Sequence, residues 1–184
     1  MNREEFLGKV EEQQNILFNE LKYEKERSAV IVGVSNIDSL LEELIVKVLK
    51  PVKPKDSICY SNNGVSTFSS KIMLAFQLGL IDESFKNQLN MLRKIRNDFS
   101  HQVTGCSLDM PPHSNRFDDL YKLVSKKDSF KRMPNFLPGE VVDESERVLN
   151  MKLILIYLSS SLVLKINFML PLHEINSNSL SLFK

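Results

Sequence analysis

The chain has 184 residues, 42% hydrophobic and 26% charged, with a net charge of +1. That length fits one domain with room for a real core, and the composition is that of a soluble globular protein. The near-neutral balance excludes a globally basic nucleic-acid binder, so any such site must come from local clustering.

Residues 3–22 predict a helix. Phe6, Val10, Leu17 and Leu21 recur near a 3.6-residue period, with Glu and Lys between them. No proline occurs before Pro51, and a bend is expected near residues 23–27. Residues 27–50 form a stronger helix. Ala29, Val30, Val32, Gly33, Ile37, Leu40, Leu41, Leu44, Ile45, Val48 and Leu49 nearly encircle its first half, which argues for burial, and Pro51 and Pro54 end it. Asp38, Glu42 and Glu43 fall on one flank. They form either a solvated face or structural ion pair, or an acidic partner for Arg96, whose guanidinium suits a planar carboxylate.

A loop over 51–65 holds Asn63-Gly64, a turn signal. The next helix starts behind Ser66 or Thr67 as cap, runs through Ile72, Ala75 and Leu78, and stops at Gly79. Asp82 caps a further helix with Phe85, Leu89, Leu92, Ile95 and Phe99 facing inward. That helix closes on Arg93-Lys94-Ile95-Arg96-Asn97-Asp98-Phe99-Ser100-His101. Asn97 and His101 share a face at i, i+4, with Arg93 one turn earlier. Arg96 sits about 140° from His101 around an ideal helix. The two converge only if the helix end distorts or a second copy of the chain meets the first.

Residues 102–142 read as an irregular insertion punctuated by Pro111, Pro112, Pro134 and Pro138, with a short helix over 116–125. The window 116–132 carries six Lys or Arg against three Asp. Lys126, Lys127, Lys131 and Arg132 are interleaved there with Phe117, Tyr121 and Phe130. This mixture suits single-stranded nucleic acid, or equally a loop anchored on the core by its aromatics. Asp143 with Glu146 gives a capping-box-like start to a last helix over 144–170, closed by Pro171. Its apolar run from Leu153 is interrupted by Ser159–Ser161, Lys165 and Asn167, which favours a buried bundle helix over a membrane span. The tail, 176–184, is either frayed or docked on a partner.

The expected fold is therefore all-α: a single-domain helical bundle of about five to six helices over 1–175. Its core lies at 27–101 and 143–170, and the irregular insertion precedes the last long helix. Two cysteines without a C-x-x-C pair suggest free thiols and no zinc site, and the polar start lacks a signal peptide, so a cytoplasmic location is expected. No phosphate-binding loop, dinucleotide fingerprint or nucleophile elbow is present, and His113 and His173 stand without ligand neighbours, so no cofactor or metal is expected.

Arg96-Asn97-x-x-x-His101 at a helix end resembles the signature of the HEPN superfamily, small helical proteins that often act as metal-independent RNases across a dimer. The resemblance implies His101 as general acid or base, Arg96 as phosphate clamp, Asn97 as the residue orienting one of them, and a 2′,3′-cyclic phosphate product. Arg93, Lys94 and the basic residues at 126, 127, 131 and 132 become candidate RNA contacts. A second resemblance rests on Arg27-Ser28-Ala29-Val30, Thr67-Phe68-Ser69-Ser70-Lys71-Ile72 and Leu78-Gly79-Leu80-Ile81. It covers residues 27–101 and looks like the mannitol operon repressor family, all-helical proteins described as transcriptional regulators. Two functions follow as expectations. One is a dimeric toxin- or defence-type endoribonuclease, which an antitoxin or regulatory protein partner could hold in check. The other is a non-catalytic regulator or protein-interaction module that lacks a helix-turn-helix.

Overall fold

A computed structural model describes residues 3–60, 63–102, 104–133 and 145–168. Within these the fold is all-α, with seven helices: α1 (Arg3–Leu21), α2 (Glu26–Val48), α3 (Phe68–Gln77), α4 (Glu83–His101), α5 (His113–Val124), α6 (Asp128–Lys131) and α7 (Glu146–Phe168). The expected Asp143 cap, Pro171 stop, His173 and C-terminal tail lie outside the described residues. The described part of the stretch expected to be irregular, 104–133, is more helical than expected, while Pro134 and Pro138 lie outside the described residues. It holds α5, which begins three residues before the expected start, and the single turn of α6.

The bundle is organised around α2 and α7. Both are apolar on nearly every side, and each is covered on more than one flank. They run parallel. Gly33 lies against Leu155, the Asn36 side-chain amide donates to Ser159 Oγ at 3.0 Å, and Lys47 Nζ donates to the carbonyl of Ile166. By length and hydropathy α7 could cross a membrane, but most of it is buried in this bundle. Helix α1 covers α7 in the opposite direction, with Val10 beside Val163 and Lys152 Nζ donating to the Lys22 carbonyl at 3.2 Å. The expected bend falls between Leu21 and Glu26.

On the other side of α2 sits the α3–α4 pair, and each of its ends is fixed by local chemistry. Thr67 Oγ1 accepts from the Ser70 amide, and Ser70 Oγ accepts from the Thr67 amide, both at 3.1 Å. These bonds satisfy two groups at the start of α3 that the helix itself cannot pair. At its end Gly79 takes φ +70°, the left-handed region open to glycine. Leu80 N–H then bonds Ala75 O at 2.9 Å and Gly79 N–H bonds Phe76 O at 3.0 Å, closing a Schellman motif. Asp82 Oδ1 accepts from the Phe85 amide at 2.7 Å and opens α4.

Of the two roles open to the acids of α2, Asp38 and Glu42 take the structural ion pair, and the alternative is corrected: none of these acids meets Arg96. Lys71 of α3, almost wholly buried, takes Asp38 at 2.8 Å and Glu42 at 2.6 Å. A lysine buried on the same helix as Phe68, Ile72 and Ala75 has little access to water, so it takes nearby carboxylates. Burial alone would lower its pKa; the hydrogen bonds to Asp38 and Glu42, with their charges, more than reverse that and hold it above the ordinary lysine value.

Candidate active site at the end of helix α4

Helix α4 buries Phe85, Gln88, Leu89, Leu92, Ile95 and Phe99. On an ideal wheel Arg96 falls between Leu89 and Leu92, inside this apolar arc, and Arg93 and Asn97 follow on its margin. All three are half-buried, whereas Lys94, Ser100 and His101 are exposed. The arginine stems therefore lie along apolar surface with their heads at its edge. Their packing leaves Nε of both Arg93 and Arg96 buried without a hydrogen-bond acceptor. Neither guanidinium has a carboxylate within 4 Å among the described residues. Arg96 Nη1 makes a long contact of 3.4 Å to Asn97 Oδ1.

The helix stays regular to its end. His101 is its last residue, and the Gln102 amide still donates to Asp98 O at 3.0 Å. No distortion therefore swings Arg96 toward His101, and no hydrogen bond joins them in one chain. The separation of about 140° read from the sequence is retained.

The opposite margin of α4 is engaged by its neighbours. Asp98 receives the Arg116 guanidinium from α5, and Nδ1 of buried His113 stands 3.5 Å from Asp98 Oδ2. That approach is too poorly aligned to be a hydrogen bond. The His113 ring instead packs edge-on to Phe99, centroids 5.4 Å apart. Arg27 Nη1 holds the Gln102 carbonyl at 2.8 Å. Glu26 accepts from Ser107 Oγ at 3.2 Å and from the Leu108 amide, tying the loop after α4 to the start of α2. Sequence reasoning passed over this cluster because His113 stood alone among polar residues, and Asp98 and Arg116 share no period.

The second basic group lies elsewhere, around α6. Lys126, Lys131 and Arg132 are exposed and Lys127 is half-buried. Lys131 pairs with Asp128 at 3.1 Å, and Arg132 Nε donates to the Asp128 carbonyl at 3.3 Å. No described hydrogen bond or ion pair links this group to Arg93, Lys94 or Arg96. The aromatics between them serve the core. Phe117 and Phe130 are buried, and a chain of ring contacts runs Phe117–Tyr121–Phe130–Tyr157 with centroids 5.9, 6.4 and 5.5 Å apart. Phe117 and Phe130 are therefore not free to stack on bases, while Tyr121 is half-buried.

Among the described residues no group of three or more His, Cys, Asp or Glu is placed to hold a metal ion. The chain gives no significant match to family models, to curated proteins or to solved structures.

Proposed function

We propose that the chain is a metal-independent RNA endonuclease of the HEPN kind, of toxin or defence type, acting in the cytoplasm as a homodimer. The observation that carries this reading is Arg96. It lies on the buried arc of α4, with an orphaned Nε–H and no carboxylate, beside half-buried Asn97, which is itself one turn from exposed His101. A structural arginine in such a place would be expected to hold an acid, as Lys71 does.

RNA carries its own nucleophile. A base takes the proton of the 2′-hydroxyl, the O2′–P bond forms, the P–O5′ bond breaks, and an acid returns a proton to O5′. The products are a 2′,3′-cyclic phosphate and a free 5′-hydroxyl. His101 suits either proton transfer because an imidazole titrates near neutrality. Arg96 suits the charge building on the phosphorane oxygens because it never deprotonates and its donors match phosphate. Asn97, already in contact with Arg96, orients that fork. The wide angle between Arg96 and His101 on one helix asks for a second α4 end, which a homodimer supplies.

A second reading has one observation in its favour. Val46, Val52, Ile58 and Tyr60 are exposed along one groove between the end of α2 and the loop after it. Such a surface fits a non-catalytic regulator that works by binding another protein.

The deciding experiment is RNA cleavage with EDTA present, comparing wild type with His101→Ala and Arg96→Ala. Cleavage by wild type alone, leaving cyclic phosphate ends, supports the nuclease. Equal cleavage by all three proteins marks a contaminant, and no cleavage favours the regulator.

A further inference from the structure

We infer that Arg93 and Arg96 together grip two consecutive phosphates of single-stranded RNA. Arg93 would take the phosphate next to the scissile one. This rests on the nuclease reading for its ligand class and goes beyond it in assigning a subsite to Arg93.

Three features of the pair carry the inference. First, positions 93 and 96 are i, i+3 neighbours on a helix that is regular throughout, so their Cβ atoms stand about 5–6 Å apart. That is the order of separation between neighbouring phosphates on one strand. Second, both stems are held by packing rather than by an ion pair. Each head has a desolvated Nε–H without an acceptor, and Arg93 makes no hydrogen bond or ion pair among the described residues. An anion arriving there displaces no carboxylate and meets side chains whose stems are already half-buried. Third, three neighbouring cations are committed, which leaves exposed Lys94 as the further charge on this stretch of α4. Arg116 holds Asp98, Arg27 holds the Gln102 carbonyl, and Lys71 holds Asp38 and Glu42. The two arginines are thus a local positive pair, with Lys94 between them in sequence, on a chain of net charge +1. A backbone grip of this kind is blind to base identity, so the subsite predicts affinity and register without sequence choice.

The test separates binding from cleavage. A fluorescent oligoribonucleotide with every ribose 2′-O-methylated has no nucleophile and cannot be cut by the proposed reaction. Its affinity is measured by anisotropy across a salt series for wild type, Arg93→Gln, Arg93→Lys, Arg96→Gln and Lys122→Ala. Arg93→Gln is expected to weaken binding about tenfold, as losing a charge-assisted contact does. It is also expected to flatten the slope of log affinity against log salt by about 0.7, one single-strand phosphate. Arg93→Lys keeps the slope, and Lys122→Ala, an exposed residue on α5 at 70% side-chain exposure, changes nothing. The inference is overturned if wild type does not bind the oligonucleotide. It is also overturned if Arg93→Gln keeps the full slope, including the case where that variant alters only the mass in solution because a second copy engages Arg93. An Arg93-dependent slope without cleavage of ordinary RNA leaves the grip standing and removes the nuclease. Cleavage without an Arg93-dependent slope does the reverse.

Discussion

Replacing Gly33 by alanine tests the closest approach in the bundle. A Cβ built on Gly33 meets three atoms of one buried side chain, Leu155: Cδ1 at 2.5 Å, Cγ at 3.0 Å and Cδ2 at 3.1 Å. Because the clash involves the whole isobutyl group, a rotation of one terminal methyl cannot relieve it. Leu155 is fully buried, so any shift it makes is into packed core. Two effects oppose each other. Alanine is better than glycine inside a helix by about 1 kcal/mol. Overpacking a filled core costs about 1–3 kcal/mol. The expected net loss is about 1 kcal/mol, or about 2–4 °C in Tm for a domain of this size. Valine adds two further methyl groups and recovers less helix propensity, so Gly33→Val should lose about 3 kcal/mol or more. Urea unfolding followed by circular dichroism measures both, with an unchanged m-value confirming that stability alone moved. The double variant Gly33→Ala/Leu155→Ala should lose less than the sum of its two single changes, since the new methyl enters space that Leu155 vacates. A Gly33→Ala protein more stable than wild type by about 1 kcal/mol would show propensity acting alone and refute the close approach of α2 and α7.

Other expectations are simpler. The Lys71 pKa is raised in the fold, so the stability it contributes is present in full below the ordinary lysine value of 10.5 and is lost as pH rises through the higher folded value. The stability gap between wild type and Lys71→Met should therefore be flat around neutrality and close only in alkali; a gap that changes near pH 7 would contradict this. Burial pushes the Cys59 thiol up, with Glu42 and Asp38 adding to the rise and Lys71 opposing it. Iodoacetamide should modify half-buried Cys106 well before Cys59, as read by peptide mass spectrometry, and the reverse order would count against the buried position of Cys59. Arg116→Ala leaves Asp98 without its guanidinium and should cost about 1 kcal/mol in urea unfolding, because the pair is partly exposed. Exposed His101→Ala should stay within about 0.5 kcal/mol of wild type.

Local signals carried most of the fold. Thr67, Gly79 and Asp82 were readable as punctuation because each acts on a backbone group within a few residues of itself. The apolar stripe of α4 needed only its period. What could not be read was pairing between elements. The sequence left Asp38 and Glu42 open between a solvated face or structural ion pair and a partner for Arg96; the ion pair forms, but nothing in one dimension states that α3 delivers Lys71 to α2. Lys71 did carry a sign: it is three residues after Phe68 and four before Ala75, on an arc that packing must bury. His113, Asp98 and Arg116 meet across a loop and a helix start, a juxtaposition with no sequence period. At the candidate site, the half-buried setting of Arg93 and Arg96 follows from the width of the apolar arc on α4, while the orphaned Nε groups emerge only from three-dimensional packing.

Helix α4 has two polar margins that differ in kind. One is bolted to its neighbours through Asp98 and the Gln102 carbonyl; the other presents Arg93, Arg96, Asn97 and His101 with almost no internal bonds. Changes on the first margin should register as lost protein, through aggregation or proteolysis, whatever the chain does in the cell. Changes on the second should leave abundance largely intact and, under the proposed nuclease reading, alter what the protein does. A variant library sorted on cellular abundance would pass the outer margin unnoticed. Under the proposed nuclease reading, the same library sorted on growth or toxicity would light up that margin, and the difference between the two maps would then outline the proposed site even before any ligand is identified.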